Sequence, residues 1–116
     1  MFPSGRWKGF WEAAGWGRRW MDELTLRFAG GRIEGEGWDC VGRFTFGGTY
    51  TDAGELSLMK QYIGQHAIRY EGRVDGEGAV IGRWTGAPGW SGPFALMPAI
   101  DDVSQLPIAT VSAGSD

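Results

Sequence analysis

Apolar residues recur at every second position in short runs along this chain, and each run closes in a turn that carries glycine. A period of two marks half-buried strands, because successive side chains of a strand point to opposite faces. The first run, Arg6 to Glu12, sets Trp7, Gly9 and Trp11 against Arg6, Lys8 and Glu12, with Phe10 alone breaking the polar face. The second, Met21 to Phe28, sets Leu24, Leu26 and Phe28 against Glu23, Thr25 and Arg27. Gly30-Gly31 turns the chain into Arg32 to Gly37. Asp39-Cys40-Val41-Gly42 then has the Asp-first, Gly-fourth spacing of a type I turn, which favours Asp39 as a turn-capping residue over a catalytic or ligand-binding carboxylate.

Arg43 to Thr51 keeps Phe44, Phe46, Gly48 and Tyr50 in phase, and Glu55 to Tyr62 does the same for Leu56, Leu58, Lys60 and Tyr62. His66 to Arg73, Ala79 to Thr85 and Ser91 to Pro98 complete the series, separated by Asp75-Gly76 and Ala87-Pro88-Gly89 turns. The pattern predicts an all-β domain of about eight hairpin-linked strands over residues 1–98. From Ala99 to Asp116 alternation is lost and Ser, Ala and Asp dominate. This segment reads as a flexible extension or as a strap for a neighbouring subunit.

Hairpin following hairpin, with no long crossover, favours an up-and-down antiparallel barrel over a Greek-key sandwich, and closure removes exposed edges. Eight strands enclose an interior that side chains fill or that holds one small ligand. Composition sharpens this picture: 21 glycines and 7 tryptophans in 116 residues mean many turns and large rings lying over bare backbone. A net charge of −3 with interspersed signs offers no basic stripe for a phosphate backbone, so nucleic acid is not an expected partner. Cys40, the only cysteine, excludes an internal disulfide, and one Cys with one His is too little for a zinc site. No metal or other cofactor is expected, no apolar run is long enough to span a bilayer, and the N-terminus lacks a signal-peptide pattern, so the expected location is cytoplasmic.

Gly5-Arg6-Trp7, opening the first strand, resembles the G-x-W start of the calycin superfamily, which holds the lipocalins and avidins. The resemblance implies an eight-stranded meander barrel whose tryptophan closes the narrow end, with a larger loop after strand one over the open end. Ala13 to Trp20 is the longest connection here. The terminal helix and second signature of lipocalins are absent, and the biotin-contacting set of avidins has no match, so the resemblance names no ligand.

In a meander, odd-numbered connections lie at one end and even-numbered ones at the other. The even set is small and acidic, whereas the odd set carries Trp16, Trp20, Trp38 and Trp90. Indole is not what a turn requires, so that end is a ligand-stacking rim, a plug, or an interface. With inward-phase Phe44, Tyr50 and Trp84 these tryptophans form the candidate ligand-binding set. Lys60, Tyr62 and Tyr70 continue inward phases, and an inward lysine is a desolvated one. His66 is either a hairpin-end residue bonded to backbone or an acid–base group.

Three function classes fit this plan. The leading one is a barrel that binds a small hydrophobic or aromatic molecule at the tryptophan-rich end. The second is a cofactor-independent enzyme, a cyclase or isomerase, using Lys60, Tyr62, His66 and Tyr70 for acid, base or charge stabilisation. The third is a protein-interaction or homo-oligomerisation domain.

Overall fold

The computed structural model describes residues 2–99. Nine strands follow one another: β1 (Gly5–Ala13), β2 (Gly17–Trp20), β3 (Asp22–Ala29), β4 (Arg32–Trp38), β5 (Arg43–Tyr50), β6 (Glu55–Tyr62), β7 (Ala67–Val74), β8 (Val80–Thr85) and β9 (Ser91–Pro98). All neighbours are antiparallel, and β9 returns to pair with β1 from Trp7↔Pro98 to Trp11↔Phe94, which closes the sheet. The result is the closed eight-stranded antiparallel barrel expected from the alternation and consistent with a calycin-like fold, plus one short extra strand. Ala99 is still tied to the barrel, its N–H donating to the Arg6 carbonyl, while the rest of the expected tail lies outside the described residues. No helix among the described residues is long and apolar enough to cross a membrane.

The connection from Ala13 to Trp20, expected as one long loop, contains β2, which forms a hairpin with the end of β1. The pairing Phe10↔Trp20 and the pairing Trp7↔Leu24 differ in register by one residue, and the β3–β4 ladder shifts between Asp22 and Thr25. A bulge therefore sits at the start of β3. Its hallmark is Glu23 at φ 52°, the only non-glycine with positive φ among the described residues. Simple alternation would send Met21 and Leu24 to opposite faces. The extra residue lets both be buried, at 6% and 1% exposure.

Inward glycines let the rings fit. A Cβ on Gly48 would lie 1.9 Å from the Ser57 carbonyl oxygen, and one on Gly82 2.0 Å from that of Glu71. The strands thus cross at distances that leave no room for even a methyl, and Tyr70 and Phe94 pack as a ring pair 4.6 Å apart in the interior. At the even-loop end, Phe2, Trp7, Phe28 and Tyr50 stack on one another and plug the barrel, with the Trp7 indole N–H donating to the Pro3 carbonyl at 2.8 Å. The Gly30-Gly31 turn there has positive φ at both positions, the geometry a two-residue hairpin requires.

Candidate functional site

The opposite end stays open. A cup of about 150 Å³ is walled by Trp11, Ala13, Trp16, Val41, Ile68, Trp84 and Trp90, with Tyr62, His66 and Tyr70 completing it. Trp84 crosses Trp11 and Trp90 edge-on, each 6.0 Å away. Its indole N–H is held by the Glu12 carbonyl at 2.9 Å, so its ring is fixed as a wall. Gly92 makes room for that ring: a Cβ there would lie 2.8 Å from the indole nitrogen of Trp84.

Beneath the cup lies a charged cluster without solvent contact. The side chains of Lys60 and Asp39 are both fully buried, with Nζ donating to Oδ2 at 2.7 Å. Lys60 comes from the middle of β6, opposite Phe46 on one side and Ile68 on the other, which fixes its inward direction. Asp39 follows β4, where Ile33, Gly35 and Gly37 are the buried positions, so it continues the inward phase one step past the strand. The same Oδ2 accepts from the Tyr62 hydroxyl at 2.8 Å and from the Trp11 indole N–H at 3.1 Å, while Oδ1 accepts from the Val41 N–H at 2.9 Å. Four donors thus converge on one carboxylate, three of them on the same oxygen.

The ammonium also donates to the Tyr70 hydroxyl at 3.2 Å and faces the rings of Phe44 and Tyr62 at 4.3 and 4.8 Å. Aromatic faces carry partial negative charge and replace some of the lost hydration. Burial lowers the Lys60 pKa from 10.5 to about 8, and the Asp39 charge and hydrogen bond keep it from falling further. At Asp39 burial acts upward, but the Lys60 charge, the hydrogen bonds from Lys60 and Tyr62 and the Val41 N–H together hold the carboxyl below its usual range. Burial and hydrogen bonding to Asp39 push the Tyr62 phenol far up. Burial, aided by the Asp39 charge, does the same for Tyr70. At neutral pH both tyrosines are therefore hydrogen-bond donors.

Of the residues singled out from sequence, the fold brings Lys60, Tyr62 and Tyr70 into one hydrogen-bonded cluster and sets His66 at the rim, its ring 5.2 Å from that of Tyr62. Trp16, Trp84 and Trp90 line the cup, and Phe44 lies deeper, against the ammonium. Trp20 and Trp38 stand elsewhere: Trp20 packs on Phe10 outside the barrel, and Trp38 borders a shallow outer groove with Arg6 and Glu36. Tyr50 belongs to the plug at the far end. Sequence reasoning missed Trp11 as a donor and favoured turn capping for Asp39 over a catalytic or ligand-binding carboxylate. Asp39 caps the turn through Oδ1 and anchors the cluster through Oδ2. Two signals pointed to it, since it extends the Gly35, Gly37 phase and is the only acid in the odd-numbered connections.

Cys40, beside Asp39, is exposed. Among the described residues no three His, Cys, Asp or Glu side chains converge as a metal site would require. The cluster fixes the floor of the cup, where Tyr62 gives its hydrogen to Asp39 and Tyr70 keeps its own. Compared with protein-family models and with curated proteins, the chain matches none, so the reading of its function rests on this geometry.

Proposed function

We propose that the protein binds a small, largely apolar molecule carrying an aromatic ring, seated in the cup among Trp11, Trp16, Trp84 and Trp90. The observation that supports this reading most is a half-open apolar cavity above a floor fixed by hydrogen bonds. Apolar cavities of about 150 Å³ stay dry and take up benzene-sized molecules. Indole walls provide flat area at little entropic cost, and the locked Trp84 needs no reordering on binding. The Lys60–Asp39 pair holds the tyrosines in place beneath the ligand rather than reaching it, since neither residue lines the cup.

The test is a titration of tryptophan emission with a panel of aromatic and alicyclic compounds, alongside sedimentation at the same concentrations. Saturable change on a concentration-independent species is expected. Trp90→Ala should weaken binding at least about fivefold, as truncation of an aromatic anchor does, while Trp38→Ala leaves it unchanged. Equal loss in the two variants, or self-association without a ligand response, would sink the proposal.

A second reading, isomerisation or cyclisation in the same cup, draws on the Lys60 pKa of about 8 and on the phenols above it. A phenol donor such as Tyr70 favours charge developing on a substrate oxygen, and His66 also lines the cup. Recovery of every bound compound unchanged would remove this reading and leave the first intact.

A further inference from the structure

Building on the cup as a binding site, we infer that its ligand belongs to the carbonyl class, an aryl ketone or a similar ring-borne acceptor, with its oxygen on the Tyr70 hydroxyl. Tyr70 oxygen accepts from Lys60 Nζ, which leaves the phenol hydrogen to find an acceptor of its own. None is in reach among the described residues. Asp39 Oδ2 is taken by Lys60, Tyr62 and Trp11, and Oδ1, which accepts from the Val41 N–H, makes no hydrogen bond with Tyr70. Tyr62, in contrast, spends its hydrogen on Asp39. Of the two phenols lining the cup, Tyr70 alone has a donor to offer, and a buried donor without an acceptor is costly.

The charge state selects among acceptors. Lys60 and Asp39 cancel each other, so the floor carries no net positive charge to offset burial of a carboxylate or phosphate. A neutral oxygen acceptor avoids that cost. The ammonium donating to the Tyr70 oxygen polarises its O–H and strengthens it as a donor. Rigid backing from Phe46 and Phe94, whose rings lie 5.3 and 4.6 Å from that of Tyr70, fixes where the hydroxyl stands.

Two volatile probes of nearly equal shape test this: acetophenone, which has the carbonyl, and cumene, which replaces it with a methyl-bearing carbon. Headspace partitioning over protein solutions gives the affinity of each for the parent protein and for Tyr70→Phe, and the comparison across variants cancels their different hydrophobicities. Tyr70→Phe should weaken acetophenone about tenfold, the value of one hydrogen bond to a well-placed donor, and leave cumene unchanged. The infrared carbonyl stretch of acetophenone bound to the parent protein should lie below its position in a hydrocarbon solvent, a readout that does not depend on the variant folding. Binding of both probes with no selective effect and no carbonyl shift overturns this inference while the apolar cup stands. Failure of both probes to bind the parent overturns the cup reading and this inference with it.

Discussion

Asp39→Asn removes the charge opposite Lys60 while keeping the shape of the side chain, and the structure sets the scale of the loss. In the parent, Lys60 already sits about 2.5 pH units below its unfolded value, a native-state penalty of roughly 3 kcal/mol at neutral pH. Without Asp39 the ammonium has no counter-charge, and at pH 7 its cost is capped by deprotonation, roughly 5 kcal/mol for a group of ordinary pKa 10.5. The lysine therefore adds up to about 1.4 kcal/mol. Asparagine keeps its oxygen toward Lys60, Tyr62 and Trp11 by turning its NH2 toward the Val41 N–H, and that one buried donor left unpaired costs about 1–3 kcal/mol. The expected total is about 2–4 kcal/mol, overlapping the range for breaking a buried pair from one side. Urea unfolding followed by tryptophan emission measures it. Adding Lys60→Met in the same chain should recover the lysine's share and leave the protein more stable than Asp39→Asn alone, because the uncompensated charge is gone. A loss under about 1 kcal/mol, or a double variant weaker than Asp39→Asn alone, would refute the reasoning.

The pH dependence of stability should carry the same cluster's signature. Lys60 is depressed in the folded state, so between about pH 8 and 10.5 the unfolded chain binds more protons and stability rises with pH, by roughly 3 kcal/mol from this group. Asp39, also depressed, contributes stability that is present above its unfolded pKa of 3.8 and is lost as pH falls through its native value. Tyr62 and Tyr70, raised, act against stability above pH 10, where only their unfolded forms ionise; urea midpoints from pH 3 to 11 in the parent and in Lys60→Met should show the alkaline rise in the parent alone. Gly48→Ala should cost more than about 3 kcal/mol or prevent folding, because its Cβ would meet the Ser57 carbonyl, whereas Gly47→Ala, with open space around it, should stay within about 0.5 kcal/mol of the parent. Thermal melts of the two compare neighbouring glycines on opposite faces. Glu23→Gly should raise stability by about 1 kcal/mol, since a left-handed backbone suits glycine and Glu23 is exposed; a drop in melting temperature would show that Glu23 is not strained at the bulge.

The amino-acid sequence by itself determined the eight strands of the barrel, most of their in-and-out phase and the division of the two barrel ends. Alternation is a local property, so Trp7, Leu24, Leu26, Phe46, Lys60 and Tyr70 declared their inward direction before any partner was known. It also marked the tryptophan-bearing end, because a meander sorts its connections by count. Tertiary structure decided the rest. The phase rule ends where strands end, so it did not tell that Trp16 and Trp90 turn over the cup, and Trp20 and Trp38, read from sequence as loop residues, close β2 and β4 facing away from it. It also assumes one residue per step, which the bulge at Glu23 breaks when it buries Met21 together with Leu24. The meeting of Lys60 with Asp39, 21 residues apart and on strands separated by β5, depends on how the closed barrel curves across its interior. That distance is a three-dimensional quantity, and a one-dimensional pattern of hydrophobic and polar residues does not contain it.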